Sequence, residues 1–361
     1  MDRHNDNHAA AWVRPEIQSL SAYHVPDYSG MVKLDAMENP YNWPAALRQE
    51  WAALLAETDV NRYPDPVAAS LKMQLRQAMG ITDDMGLVLG NGSDEIIQII
   101  AMALAGNNRV VMSVEPSFVM YRMISVFSGM RYVGVPLEDD FSLNLQALLE
   151  AMDQHQPAVI FLAHPNNPTG NLFDEDKLEK IIQAAPGLVV IDEAYAPFTD
   201  TSFIDRLGRY PNLVVMRTVS KMGLAGLRLG LLAGPRDWLD EFEKVRLPYN
   251  INVLTQKSAE FALKHQQLFD QQALEIRQQR ARMLAELSKL GAMQVYPSEA
   301  NFILIRLGEG EADRVFEGLK AANILIKRLH GGQPALNECL RITIGTPAEN
   351  DLLLAALGKL F

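Results

Sequence analysis

Lys221 stands between Ser220 and the glycine-rich run Met222-Gly223-Leu224-Ala225-Gly226-Leu227-Arg228. An ammonium is costly to bury unless its surroundings make it useful. A lysine whose pKa is lowered becomes a nucleophile that condenses with an aldehyde. Taken alone, Lys221 reads as an ordinary surface lysine. Its companions change that reading. Asp192-Glu193-Ala194-Tyr195 offers a carboxylate and a phenol. His164-Pro165-Asn166-Asn167-Pro168-Thr169-Gly170 offers an amide, and Glu115-Pro116-Ser117-Phe118 an aromatic ring. Gly90-Asn91-Gly92-Ser93-Asp94-Glu95 precedes an apolar run, so it reads as a turn opening a helix with Ser93 or Asp94 as N-cap. Free N–H groups and a positive dipole end would make that turn an anion site, with a plain capped helix as the alternative.

A pyridine aldehyde phosphate would use this whole set. It needs an amine for its aldehyde, a carboxylate to keep its ring nitrogen protonated, and donors for its phenolate oxygen. It also needs a flat ring over its face, and cations with N–H groups for its phosphate. Lys221, Asp192, Asn167 with Tyr195, Phe118, and Arg228 with Ser220 and the turn at Ser93 and Asp94 answer those needs in turn.

The elements that must position these groups alternate along the chain. Residues 109–114, 132–135, 158–163, 188–191 and 213–216 read as short apolar strands, and 227–234 as another. Residues 121–127 and 145–152 read as helices, as does the run after the glycine turn, which Gly106 can end. Asp174 caps a further helix reaching residue 185, with Leu178, Ile181 and Ile182 on one face. Continuous apolar strands separated by helices imply an α/β fold, a mostly parallel sheet covered by helices. Ligands of such sheets bind beyond the carboxyl ends of the strands, where Phe118, Asn167, Asp192, Tyr195, Ser220 and Lys221 fall.

The flanks read differently. Residues 1–15 are polar and read as a loose tail, and 20–26 and 34–40 as arm segments. Residues 43–57 have helical spacing with Leu47, Trp51 and Leu54 on one face, and 61–65 form a turn around Pro64. Toward the C-terminus, 256–294 reads as largely helical. Strands at 301–306, 324–327 and 340–344 and helices at 313–322 and 350–360 follow, which suits a smaller α+β domain. Arg341 on an apolar strand is either paired structurally or aimed at a substrate anion, and Arg328 is a second such cation.

Composition narrows the function classes. The 361 residues carry a net charge of −11 with no lysine- or arginine-rich run, which argues against nucleic-acid and anionic-membrane partners. The single cysteine, Cys339, can form no intrachain disulfide, and no Cys/His spacing suggests a metal site. No apolar run is long enough to span a bilayer and no signal peptide is evident, so a cytoplasmic enzyme is expected.

Asn167-Pro168-Thr169-Gly170, Asp192-Glu193-Ala194-Tyr195 and Ser220-Lys221 with Gly226-Leu227-Arg228, in this order, resemble the fold-type-I pyridoxal-phosphate aminotransferases of the aspartate-aminotransferase superfamily. The likeness runs through residues 17–350. Within the superfamily the chain is most similar to the histidinol-phosphate aminotransferase family. Tyr23, Arg62-Tyr63-Pro64, Gly92-Ser93-Asp94-Glu95, the stretch from Pro297 to Phe302 and that from Leu340 to Thr346 carry this closer likeness. Arg228 follows Lys221 by seven positions, one fewer than in many members, and Phe118 stands where many carry tyrosine.

The resemblance implies pyridoxal 5′-phosphate as cofactor, Lys221 as its covalent anchor and proton carrier, and histidinol phosphate with 2-oxoglutarate as substrates in histidine biosynthesis. An aromatic-amino-acid aminotransferase or a threonine-phosphate decarboxylase-like enzyme is the alternative. It implies Tyr23, Asn167, Arg328 and Arg341 as substrate contacts. It also implies a homodimer with shared sites, in which Tyr63 reaches the neighbouring subunit's cofactor phosphate. A large cofactor domain over residues 50–260, and a small domain from 1–49 and 261–361, complete the expectation.

Overall fold

The computed structural model describes residues 8–22 and 30–361. Tyr23 and the first seven residues of the expected tail lie outside that range. The strands, in chain order, are β1 (Val32–Leu34), β2 (Gly86–Gly90), β3 (Val110–Glu115), β4 (Arg131–Pro136), β5 (Val159–Ala163), β6 (Leu188–Asp192), β7 (Leu213–Thr218), β8 (Gly230–Gly234), β9 (Met293–Val295), β10 (Phe302–Leu307), β11 (Ile324–Arg328) and β12 (Cys339–Thr343).

Seven strands form one sheet in the order β2-β8-β7-β6-β5-β3-β4. Its pairings are parallel except those of β8, which runs antiparallel to both β2 and β7. The strands are buried on both faces, and their alternation sorts them into two apolar layers. Val88, Val111, Phe161, Val190 and Val214 pack with the helix Ser93–Leu104 on one side. Leu89, Met112, Ile160, Val189 and Leu213 pack with Leu178 and Ile181 of the helix Glu175–Ala184 on the other. The expected mostly parallel, helix-covered sheet is thus present.

A five-stranded sheet, ordered β1-β11-β12-β10-β9, holds the C-terminal strands and takes β1 from the N-terminal segment. The helix Pro347–Leu360 packs beside it and begins with a capping box between Thr346 and Glu349. Arg280, on the long helix Gln266–Lys289, donates to the carbonyls of Phe198 and Ala300 at 3.0 Å each and so joins loops of the two sheets.

Four local expectations are corrected. Residues 8–15 are not simply loose: His8–Ala11 and Pro15–Gln18 form helical turns, and Arg14 Nη2 donates to the Phe127 carbonyl at 2.6 Å. Neither Ser93 nor Asp94 caps its helix; Gly92 does, at φ +83°, with no side-chain cap. The strand expected over 227–234 starts only at Gly230, because Ala225–Leu227 is a 3₁₀ turn and Arg228 is left-handed at φ +48°. The helical stretch after residue 256 is two helices, Val253–Lys264 and Gln266–Lys289, parted at His265. Strand β2, short and glycine-flanked, has no sequence signal that distinguishes it from a loop.

β8 passes close behind the turn that ends β2. A Cβ built on Gly230 would sit 2.7 Å from both the Gly92 carbonyl carbon and the Ser93 nitrogen, which are backbone atoms. The Gly230→Ala variant of the cofactor-free protein is therefore expected to lose about 1–3 kcal/mol, typical of overpacking. Gly358→Ala, on a helix with nothing within 4 Å, should lose none. Urea unfolding midpoints check both, and a Gly230→Ala midpoint equal to wild type would show that the contact yields freely.

Candidate active site

A cavity of about 370 Å³ opens at the carboxyl ends of β5, β6 and β7. Nine residues expected from the sequence line it: Ser93, Asp94, Phe118, Asn167, Asp192, Tyr195, Ser220, Lys221 and Arg228.

Lys221 rides on the 3₁₀ turn Ser220–Met222 directly after β7. Its Nζ lies 3.5 Å from the Ala36 carbonyl and 5.9 Å from the centroid of the Tyr195 ring. Burial, reinforced by the Arg341 charge, pushes its ammonium down to about 8. An amine so shifted is partly neutral near physiological pH, as a nucleophile or proton carrier must be.

Asp192 ends β6 and is 4% exposed. Burial pushes its carboxyl up to about 6, against the pull of two hydrogen bonds. Tyr121 donates its hydroxyl to Oδ2 at 2.6 Å, and the Ala194 N–H donates to Oδ1 at 3.0 Å. A cationic ring nitrogen brought to this carboxylate would be held protonated by it. Tyr121 was not among the expected site residues. It stacks on Phe161 at 5.0 Å and meets Phe118 edge-on at 5.5 Å. Its position three residues after Phe118, on one helical face, was the available signal.

At the opposite end, the helix Ser93–Leu104 starts with no side-chain cap, so its first N–H groups are open to an anion. Arg228 stands over that start, 3.4 Å from Asp94 Oδ2. A Cβ on Gly92 would lie 2.6 Å from Arg228 Nη2, so glycine, at φ +83°, leaves room for the guanidinium where it stands. Thr218, also not expected, lines the cavity and places its Oγ1 2.8 Å from Ser220 Oγ. An anion cradle, an amine and a buried carboxylate in one cavity fit a pyridine aldehyde phosphate.

The smaller sheet reaches the cavity from the other side. Arg341, on β12, donates to Asn167 Oδ1 at 2.6 Å and to the Asp35 carbonyl at 3.0 Å. Tyr195 places its hydroxyl 3.1 Å from Met37 Sδ, and burial pushes that phenol up. Arg328 and Tyr63 do not line this cavity, as the resemblance implies for Tyr63, whose site would be the neighbouring subunit's. Arg328 is exposed and ion-paired with Asp313 at 2.7 Å. Tyr63 is 81% exposed and stacked on Tyr249 at 4.5 Å, outside the cavity of its own chain. The cation directly opposite Arg341 in the ladder is Lys327, half-buried on the same face of the sheet, its ammonium lowered by burial and then by Arg341. The sequence reading named Arg328 and missed Lys327; only the register with β12 separates the two.

A lysine of lowered pKa and a buried carboxylate, at the strand ends of a mostly parallel sheet, define an enzyme of aldehyde-cofactor chemistry. The chain belongs to the class I and II aminotransferases, whose family model matches residues 29–357, and is pyridoxal-phosphate-dependent as that family is. It is 53% identical over 348 residues to histidinol-phosphate aminotransferase 2 of Nitrosococcus oceani, covering 96% of this chain and 97% of the relative. It is 51% identical over 349 residues to the histidinol-phosphate aminotransferase of Chromobacterium violaceum, covering 97% and 98%. Its fold is similar to the crystal structure of the Sinorhizobium meliloti histidinol-phosphate aminotransferase in complex with pyridoxal-5′-phosphate, with a TM-score of 0.86, 26% identity and 97% of each chain covered.

Capture of an aldehyde requires the neutral amine, so the sign of the pH effect follows from Lys221. In the cofactor-free protein, capture of pyridoxal phosphate, followed by visible absorbance, should quicken about tenfold per pH unit below about 8 and level off above it. A rate still climbing steeply between pH 9 and 10 would show an unshifted lysine.

Proposed function

We propose that this enzyme transfers the amino group of histidinol phosphate to 2-oxoglutarate, giving imidazole acetol phosphate and glutamate, a step of histidine biosynthesis. The observation that carries the reading is the identity of about half of all positions, over nearly the full chain, with relatives of that name. The substrate-side chemistry is compatible. Histidinol phosphate has an amine, an imidazole and a phosphate but no α-carboxylate, so two neighbouring cations suit it better than a single carboxylate fork. Arg341 and Lys327 supply that pair, and Tyr23 adds a hydroxyl by family likeness.

When bound, the cofactor supplies an electron sink for the carbanion left at the substrate α-carbon. Lys221 Nζ takes the proton from that carbon and later returns one, as base and then acid. Asp192 keeps the proton on the cofactor's ring nitrogen, and Tyr121 with the Ala194 N–H orients Asp192. Asn167 and Tyr195 would face the cofactor's phenolate oxygen, while Phe118 would cover its ring and exclude water from that face. The N–H groups of Ser93 and Asp94 at the helix start, the Ser220 hydroxyl and the Arg228 guanidinium would hold the phosphate. Lys221→Ala should abolish turnover.

The enzyme acts as a homodimer in which Tyr63 reaches the phosphate of the partner subunit's cofactor. Support comes from the exposure of Tyr63, Val60, Val67 and Leu247, large apolar side chains that a monomer would leave in water. Residues 50–260 form the cofactor domain, and 1–49 with 261–361 the small one; the membership of β1 in the smaller sheet supports that division. The free, buried Cys339 accords with a reducing, cytoplasmic home.

Two measurements test these assignments. With histidinol phosphate as substrate, Arg341→Ala and Lys327→Met should each lower kcat/KM by roughly 1.5–3 kcal/mol, about 10- to 150-fold, while Arg328→Ala changes little. Equal kcat/KM for histidinol and its phosphate would remove the phosphate pocket and favour an aromatic amino acid such as phenylalanine. For the dimer, mixing inactive Lys221→Ala with inactive Tyr63→Ala should restore activity through hybrid sites. A fully active monomer in sedimentation at assay concentration would end that reading.

A further inference from the structure

A second cavity, of about 360 Å³, lies behind the turn that carries Lys221. It is as large as the active-site cavity and within the size range of small-molecule sites. The two share a wall. Thr218 lines both. Asp192 faces the active site while its neighbour Glu193 faces the second cavity, and Lys221 and Met222 divide in the same way.

The floor is polar and already organised. Glu193, 1% exposed, accepts from Arg217 Nε at 2.9 Å, from Ser202 Oγ at 3.0 Å and from the Phe203 N–H at 2.5 Å. Arg217 Nη2 donates to the same Ser202 hydroxyl at 2.8 Å. That pair is neutral as a unit. Nearer the mouth, Arg277 is neutralised by Asp200 through bonds of 2.8 and 2.6 Å. Asp270 remains. Three carboxylates therefore face two guanidiniums, and no ion pair among the described residues involves Asp270. The walls beside it are apolar: Leu263, Phe269, Ala273 and Leu274.

A net negative cavity with an apolar wall selects a cation with an apolar body. We infer that this cavity is a binding site for a small organic cation, and that its occupancy is coupled to turnover through Thr218 and Met222, which adjoin the Lys221 turn. The cation sits against Asp270, exposed at the mouth, with its apolar part on Leu263 and Leu274. It is distinct from the amino-transfer substrates, and its binding does not depend on which of them the enzyme uses.

The test uses the cofactor-loaded enzyme and benzyltrimethylammonium, which has no N–H and cannot react with an aldehyde. Calorimetry should show saturable binding that saturating histidinol phosphate does not displace. Asp270→Asn should weaken it at least tenfold while leaving kcat without the probe unchanged. Leu274→Trp, at an exposed wall position, should fill the mouth and weaken it likewise. At saturating probe kcat should change at least twofold. Absence of saturable binding, displacement by histidinol phosphate, or indifference to both substitutions would overturn the site. An unchanged kcat at saturation would overturn the coupling.

Discussion

The active site depends on keeping an amine and a carboxylate in one cavity without letting them pair. Lys221 and Asp192 both line it, yet no ion pair joins them. A direct pair would raise the lysine and lower the aspartate, and each would be occupied with the other. Instead Asp192 is fastened by Tyr121 and the Ala194 N–H, and Lys221 sits near Ala36 and Tyr195. Burial then acts on both in opposite directions, toward a neutral amine and a more basic carboxylate. The cost of burying these groups is borne by the large core around them, which is where functional sites place such strain.

That arrangement requires the two sheets to meet at the cavity. Arg341 of the smaller sheet reaches Asn167 of the larger. Asn39, just after β1, donates to the Met222 carbonyl and to Gln272 at 2.9 Å each, which ties the lysine turn to the N-terminal segment and the long helix. Asn301 donates to the Met37 carbonyl at 2.9 Å, beside the thioether that Tyr195 approaches. These are polar contacts between elements far apart in sequence, so a movement of one sheet against the other would be felt at Lys221 and at Arg341 together. Such shared contacts are how substrate binding and proton transfer can be made to depend on one geometry.

Strand ends also give the protein two distinct surfaces from one stretch of chain. Asp192 and Glu193 are consecutive but serve different cavities, as do Lys221 and Met222. A substitution that repacks the second cavity therefore acts one peptide unit away from Asp192 and Lys221.

Much of this protein was legible in its sequence because much of it is local. The apolar runs that became β5, β6 and β7 are buried throughout, or nearly so, and their carboxyl ends carry Asn167, Asp192 and Lys221 as the alternation required. Asp174 caps its helix through the Lys177 N–H, an interaction spanning three residues. What tertiary structure alone decided involves partners distant in the chain or alternatives of one position. Tyr121 and Asp192 meet across 71 residues, and Arg341 and Asn167 across 174, separations over which no spacing rule operates. Lys327 and Arg328 differ by one position, and only the ladder register with β12 puts Lys327 opposite Arg341 and leaves Arg328 to Asp313. A one-residue step exchanges the faces of a strand, so the residue types that can do the chemistry are written in the sequence, while the side on which each one acts is set by pairing.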